Sequence, residues 1–209
     1  GQKHLIGDNK ILKNLIDSGK IPNMIFYGPS GTGKTTVANI AAMASDKQFY
    51  KLNATNASLA DIKAITAELG ENSFSNGILL YLDEIQNFNK KQQQSLLEFI
   101  ETGDITLIAS TTENPYFYVY NAILSRSSVF EFKPIEANEV EQAILRAIEK
   151  LQKEMPENKI LFNNDAVSHI AAMSNGDVRK SLNAVEVCVY SVMPDMEGVL
   201  KIDLETAEQ

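Results

Sequence analysis

Residues 24–36 read MIFYGPSGTGKTT, and the expected fold follows from this stretch. Met24 to Tyr27 form an apolar run that predicts a short strand. The residues from Gly28 to Thr35 match the pattern G-x-x-x-x-G-K-[ST] at every fixed position. Residues 35–44 predict a helix. A strand, a glycine-rich turn and a helix in this order favour a phosphate-binding loop, because backbone amides and the positive helix end face the anion.

The chemistry of nucleotide binding accounts for each polar residue of this loop. Lys34 is expected to contact the β- and γ-phosphates of ATP, and the Thr35 hydroxyl to be a ligand of Mg²⁺. A glycine-rich turn with a chance lysine is the alternative, but the flanking strand and helix favour the phosphate loop. The predicted nucleotide-binding residues are Gly28, Pro29, Ser30, Gly31, Thr32, Gly33, Lys34, Thr35 and Thr36.

A second apolar run, residues 78–82, predicts a buried strand that ends in two carboxylates. Asp83 is expected to reach the Mg²⁺ held by Thr35, through a water molecule. Glu84 is expected to orient and deprotonate the attacking water. An Asp-Glu pair at a strand end is by itself often a solvated turn. Together with the phosphate loop, the adjacent pair predicts hydrolysis.

The remaining pattern alternates strands and helices, which predicts an α/β fold with a central parallel sheet flanked by helices. Further strands are expected at residues 49–52, 105–110 and 129–132, and helices at 58–69 and 91–101. After Pro134 strand signals end, and helices are expected at 137–153, 165–173 and 177–192. The sequence therefore predicts an α/β nucleotide-binding domain over residues 1–133 and a small all-helical domain over 134–209.

The order of these motifs resembles that of AAA+ ATPases. Residues 105–114, ITLIASTTEN, are similar to the strand that ends in a polar sensor, which implies that Asn114 positions the lytic water. Residues 122–134 resemble the serine-arginine segment of clamp-loader ATPases, which implies that Arg126 is an arginine finger acting in trans. Read alone, Asn114 is a turn starter and Arg126 a surface charge.

Residues 175–183, NGDVRKSLN, are similar to the AAA+ lid motif. This resemblance implies that Arg179 contacts the γ-phosphate from the same chain and couples closure of the lid to the nucleotide state. By the same resemblance, the helical domain at 134–209 is expected to be the lid.

Three short motifs narrow the resemblance to the replication-associated recombination protein A family. They are residues 83–85, residues 88–90 and residues 111–115, read as DEI, FNK and TTENP. The resemblance implies an ATPase acting in the cytoplasm at the nucleoid, on DNA at stalled replication forks, single-strand gaps or duplex ends, with single-strand binding protein. The family often has His where this chain has Gln86, and a second Pro where it has Ser30.

The resemblance also bears on assembly. An early amino-terminal segment and the carboxyl-terminal oligomerisation region of the family are expected to lie outside residues 1–209. A homo-oligomer is therefore expected for the full-length protein, and a monomer stays open for this stretch.

Composition limits the classes of partner. The formal net charge is −8 over 209 residues, so a DNA contact is expected from a local patch or from several subunits together. No apolar run approaches the roughly 20 residues of a membrane span, and no signal peptide is recognised. Residues 116–120, YFYVY, are able to stack on the bases of single-stranded DNA, but packing and ordering of the loop are the favoured interpretation.

Two other functions share some of these motifs. The serine-arginine segment also permits a clamp-loader-type subunit that serves as an ATP-switched binding module. A P-loop kinase for a small acceptor is disfavoured, because such kinases do not need an Asp-Glu pair, a sensor asparagine or an arginine finger.

Overall fold

The computed structural model describes residues 1–71 and 76–208. The chain divides into two compact units. The sheet unit comprises Gln2–Gly28 and Gly33–Phe132, and the carboxyl-terminal unit comprises Gly1, Pro29–Thr32 and Lys133–Gln209. Each unit has a core of its own.

The sheet unit alternates strands and helices. Its strands are β1 (Met24–Tyr27), β2 (Gln48–Asn53), β3 (Ile78–Asp83), β4 (Ile105–Thr111) and β5 (Ser128–Glu131). Its helices are α1 (Lys3–Ile6), α2 (Ile11–Asp17), α3 (Lys34–Ala44), α4 (Leu59–Glu71), α5 (Lys90–Glu101), α6 (Pro115–Tyr118) and α7 (Asn121–Leu124), with a 3-10 turn at Ile85–Asn87. The expected strands and helices of this region are confirmed to within about two residues at each end.

The strands of this unit form one parallel sheet in the order β2-β3-β4-β1-β5. The predicted parallel sheet flanked by helices is therefore confirmed. In the register of the sheet, Tyr27 lies beside Thr111 and Leu82 beside Ala109. The carboxyl ends of β1, β3 and β4 consequently meet at one edge, which is where α/β sheets bind their ligands.

The two faces of the sheet pack against different helices. In β3, Leu80 and Leu82 belong to one buried cluster, whereas Leu79 and Tyr81 belong to another, because successive side chains of a strand point to opposite faces. The second cluster includes Val37 of α3. Helix α3, which begins directly after the phosphate loop, therefore packs on the face that carries Tyr81.

The carboxyl-terminal unit contains helices α8 (Ala137–Glu154), α9 (Asn164–Met173), α10 (Val178–Ser191) and α11 (Leu204–Glu208). It also contains strands β6 (Lys159–Phe162) and β7 (Val199–Ile202), which pair in parallel. The expectation of an all-helical region was therefore wrong, although its three helices are present. Ile160, Leu200 and Ile202 are buried in the core of this unit, so the small sheet is part of its packing. Its role as a lid stays a prediction.

Hydropathy and helix length bear on membrane association. Within residues 1–71 and 76–208, no helix has the length and apolar character needed to cross a bilayer.

Candidate active site

The phosphate loop begins with a glycine that no other residue can replace without displacing the backbone. Gly28 follows β1 with a φ of +136°. A Cβ atom at this position would lie 1.9 Å from the carbonyl oxygen of Phe132, directly after β5. Gly28 therefore passes closely by the residue that follows the neighbouring strand β5. Gly33 ends the loop in a left-handed conformation with a φ of +97°.

Lys34 is the first residue of α3, and its side chain folds back towards Gly28, the first residue of the loop. Its Nζ donates a hydrogen bond to the carbonyl oxygen of Gly28 at 2.7 Å, and only 8% of the residue is exposed. Electrostatic attraction strengthens when water is excluded, so a buried ammonium favours an anionic ligand. Thr32 is also buried, and its hydroxyl donates to the carbonyl oxygen of Pro29 at 2.8 Å. Ser30 and Thr36 are exposed.

A hydroxyl network joins the loop helix to the acidic strand end. The Oη atom of Tyr81 lies 3.0 Å from Oγ1 of Thr35, 2.9 Å from Oγ of Ser110 and 3.2 Å from Oδ1 of Asp83. Ser110 also donates a short hydrogen bond to Asp83. Burial raises the pKa of the Tyr81 phenol to about 12, so it stays protonated at neutral pH and can donate. Thr35 and Asp83 are thus two hydrogen bonds apart.

The two expected magnesium ligands are chemically suited to that ion. Thr35 supplies a hydroxyl oxygen and Asp83 a carboxylate oxygen, and both side chains are half-buried. Mg²⁺ prefers oxygen ligands and retains several waters, so one direct ligand and one acting through water fit its coordination. Both oxygens lie within hydrogen-bond distance of the Tyr81 hydroxyl.

Glu84 follows β3 in an unusual backbone conformation. Its φ of +56° and ψ of +47° are left-handed, which is uncommon for a residue other than glycine. The left-handed residue ends the strand and begins the 3-10 turn. The side-chain amide of Gln86 donates a short hydrogen bond to Oε2 of Glu84 and so ties the carboxylate to the turn. Strained residues of this kind concentrate at functional sites.

Asn114 lies after β4, the strand between β1 and β3. Its Oδ1 atom accepts a hydrogen bond from the amide of Tyr116 at 3.0 Å and caps α6. The side chain therefore does act as a turn starter. Its Nδ2 group makes no hydrogen bond to any residue that the structure describes, and the residue is exposed. The cap and the expected sensor role use different atoms, so they are compatible.

Arg126 is exposed and held by its own chain. Its Nη2 atom lies 2.6 Å from Oε1 of Glu101, and its Nη1 donates to the carbonyl oxygen of Ala122 at 3.0 Å. The side chains of Arg126 and Glu101 are 44% and 46% exposed. Exposed ion pairs contribute little stability, from 0 to about 1 kcal/mol. This ion pair therefore holds the Arg126 side chain only weakly.

Arg179 belongs to the carboxyl-terminal unit. It is the second residue of α10, whose amino end is capped by the side chain of Asp177. Its side chain is exposed. Its expected contact with the γ-phosphate stays a prediction.

The aromatic segment after Asn114 does not pack as expected. Tyr116, Phe117 and Tyr118 are 63%, 82% and 50% exposed. Only Tyr120 is half-buried, against the core of the sheet unit. The favoured interpretation of this segment as packing residues is therefore wrong for three of its aromatic side chains.

Sequence reasoning missed several contacts within this site. The sequence pattern predicts Tyr81 and Ser110 only as strand residues. A tyrosine in a buried apolar strand, two residues before Asp83, is nevertheless a signal for a polar contact. The sequence indicates Gln86 only as a departure from a family pattern. Glu101, the partner of Arg126, lies 25 residues away in the chain, and no local pattern connects the two.

A glycine-rich phosphate loop and an acidic strand end on a five-stranded parallel sheet define a P-loop nucleoside triphosphatase. Residues 24–135, more than half of the chain, match the AAA family, the ATPase family associated with various cellular activities. The chain belongs to this family.

Among the curated relatives, the chain is 35% identical to the replication-associated recombination protein A of Bacillus subtilis, over 100% of this chain and 49% of that protein. It is 34% identical to the protein of the same name from Escherichia coli K12, over 99% of this chain and 47% of that protein. The predicted resemblance is therefore confirmed. The chain spans about half the length of these relatives. The family and the relatives support ATP hydrolase activity.

Solved structures show the same fold. A mutant of RuvB from Thermotoga maritima superposes with a TM-score of 0.76 at 21% identity, over 100% of this chain and 68% of that one. The structure of the Thermotoga maritima RuvB Holliday junction branch migration motor superposes with a TM-score of 0.71 at 21% identity, over 94% of this chain and 63% of that one. At this identity the likeness concerns the fold alone.

Proposed function

We propose that this protein is a magnesium-dependent ATPase that acts on DNA in replication-associated recombination and repair. The observation that carries the proposal is that the residues at the end of the phosphate loop lie close to the carboxylates after β3. Lys34 and Thr35 follow β1, Asp83 and Glu84 follow β3, and Thr35 is linked to Asp83 through Tyr81. Lysine, hydroxyl and paired carboxylates are the groups that phosphoryl transfer from ATP to water requires.

In the proposed reaction, the loop amides and Lys34 hold the β- and γ-phosphates. Thr35 and Asp83 would hold Mg²⁺, which would neutralise charge on the phosphate oxygens. Glu84 orients a water molecule in line with the γ-phosphorus and accepts its proton. The water oxygen bonds to the γ-phosphorus, the bond to the β–γ bridging oxygen breaks, and ADP and phosphate leave. The free Nδ2 of Asn114 donates a hydrogen bond to the water or the γ-phosphate.

The proposal includes assembly of the full-length protein into a homo-oligomer. Arg126 is exposed, and its ion pair with Glu101 is weak enough to be exchanged for the γ-phosphate of a neighbouring subunit. Such a finger makes hydrolysis depend on assembly. Arg179 of the same chain is proposed as the second sensor, on the resemblance alone.

DNA is the proposed macromolecular substrate, at stalled forks, single-strand gaps or duplex ends in the cytoplasmic nucleoid, together with single-strand binding protein. The names of the relatives support this substrate. The exposed aromatic side chains 116–118 also support it, because they line an open pocket of about 380 Å³ together with Lys90. Lys91, next to it, is also exposed. Aromatic faces beside lysines suit stacked bases and phosphates, and supply a local site on a chain of net charge −8.

The test is ATP turnover of the full-length protein with forked, gapped and fully duplex DNA, each with and without a sliding clamp. We expect stimulation by forks or gaps without a clamp. Stimulation only when a clamp is present would favour a clamp-loader-type subunit. Phosphate release that needs a small acceptor would indicate a kinase and contradict the proposal.

Two variants test the site itself. Glu84→Gln is expected to keep Mg·ATP bound while turnover falls by about 10²–10⁴-fold, the typical contribution of a general base. Lys34→Ala is expected to weaken ATP binding. Parental turnover in Glu84→Gln would remove the assignment of Glu84 as the base.

A further inference from the structure

Tyr81 occupies a central position between the loop helix and the acidic strand end. It is fully buried in β3 and lies on the same face as Asp83, two residues further along the strand. Its hydroxyl contacts Thr35, Ser110 and Asp83 within 3.2 Å. No direct hydrogen bond joins Thr35 to Asp83 within the part of the chain that the structure describes.

The number of protons fixes the direction of these hydrogen bonds. An ionised Asp83 only accepts, whereas each of the three hydroxyls has one proton to donate. Ser110 donates to Asp83, and the Tyr81 proton goes to Asp83 or to Ser110. The contact of 3.0 Å between Thr35 and Tyr81 is then made by the proton of Thr35. The lone pairs of the Thr35 oxygen are consequently left for another partner.

We propose that Tyr81 is a positioning residue of the nucleotide site, which turns the proton of Thr35 away from the metal position and fixes Thr35 relative to Asp83. This proposal rests on the proposed function, in which both residues hold Mg²⁺. A hydroxyl that is a metal ligand must direct a lone pair at the ion. The hydrogen bonds from Thr35 through Tyr81 to Asp83, here called the relay, would leave a lone pair of the Thr35 oxygen available to Mg²⁺. Ser110 supports the relay by sharing the carboxylate of Asp83.

Phenylalanine at position 81 has nearly the same shape as tyrosine and lacks only the hydroxyl. In Tyr81→Phe, Ser110 keeps its hydrogen bond to Asp83, but Thr35 loses its acceptor. The matched control is Tyr120→Phe. Tyr120 is a half-buried tyrosine of the sheet unit, and its hydroxyl bonds to none of the described residues. Both variants therefore remove one phenol oxygen, but only one of them removes a contact with the expected metal ligands.

The experiment measures the affinity of the full-length protein for a non-hydrolysable ATP analogue in EDTA and during a Mg²⁺ titration. For Tyr81→Phe we expect an unchanged affinity in EDTA, within twofold. The enhancement by Mg²⁺ should fall about two- to tenfold, the effect of losing one or two hydrogen bonds. Tyr120→Phe should match the parent in both conditions. The loss of Mg²⁺ enhancement should be smaller in Ser110→Ala than in Tyr81→Phe. Expressed as free energy, the loss in the double variant should be smaller than the sum of the two single losses, because the two residues act on one carboxylate.

Two outcomes would overturn the relay. The first is undiminished Mg²⁺ enhancement of the affinity in Tyr81→Phe; if the affinity falls equally in EDTA and in Mg²⁺, the role of Tyr81 is structural only. The second is strict additivity with Ser110→Ala. A separate variant, Thr35→Ala, distinguishes the two proposals: undiminished Mg²⁺ enhancement there removes the magnesium assignment itself, whereas a loss in Thr35→Ala without one in Tyr81→Phe removes only the relay.

Discussion

Replacement of Glu84 tests the strain in its left-handed backbone conformation. The pair to compare is Glu84→Ala and Glu84→Gly, because both lose the carboxylate and its contact with Gln86. The two variants differ in the free energy that the backbone conformation of residue 84, φ +56° and ψ +47°, costs them. A left-handed conformation costs an L-residue about 1–2 kcal/mol. The extra freedom of glycine in the unfolded chain costs about 0.5–1 kcal/mol. Glu84→Gly is therefore expected to be more stable than Glu84→Ala by about 1 kcal/mol.

A helical position supplies the control with the opposite sign. Glu98 is exposed within α5, where glycine is about 1 kcal/mol less favourable than alanine. The free energy of unfolding is measured by urea denaturation followed by far-ultraviolet circular dichroism, without nucleotide. The alanine variant should be the more stable one at position 98 and the glycine variant at position 84. If alanine is the more stable at both, the strained conformation of Glu84 is refuted. Both Glu84 variants should hydrolyse ATP about 10²–10⁴-fold more slowly.

Three further predictions concern the loop, the finger and the aromatic segment. Gly28→Ala should lower both ATP affinity, by about tenfold or more, and the denaturation midpoint, since its Cβ would lie 1.9 Å from the carbonyl oxygen of Phe132; parental affinity in a binding titration would contradict this. Arg126→Ala should keep ATP binding but lose the turnover that assembly and DNA stimulate. Glu101→Gln should keep both ATP binding and stimulated turnover. Equal turnover in the Arg126 variant and the parent would remove the finger assignment. Phe117→Ala should weaken single-stranded DNA binding by about fivefold or more in fluorescence anisotropy, the loss of one stacked base, with ATP affinity unchanged.

The strands that carry the site could be predicted because each is an apolar run next to a polar motif. β3 is the clearest case, since residues 78–82 are all buried. The strands β6 and β7 were missed for a physical reason. Each has four residues, too few to show an alternating pattern, and β6 pairs with β7 across α9 and α10. Such non-local pairing leaves no trace in a local window of sequence.

The aromatic segment shows a second limit. Helix α6 has a single turn, in which successive side chains point about 100° apart. Of its residues only Pro115 is buried, so Tyr116, Phe117 and Tyr118 are left in solvent. Apolar composition alone favoured packing, but a single turn has only one narrow inward face. The direction of each side chain depends on where the turn begins, and the Asn114 cap fixes that point.

The edge at which the candidate site forms follows from topology, because strands that run parallel end on the same side. The proximity of Lys34, Thr35, Asp83 and Glu84 could therefore be predicted from the sequence alone. What it did not provide is the face of the sheet on which the link between them lies. Tyr81 and Asp83 share a face by the period of two, but only the packing of α3 on that face brings Thr35 to them. A buried phenol hydroxyl must find a hydrogen-bond partner. Its position in an otherwise apolar strand thus requires polar groups nearby, and in this chain those groups are the expected magnesium ligands.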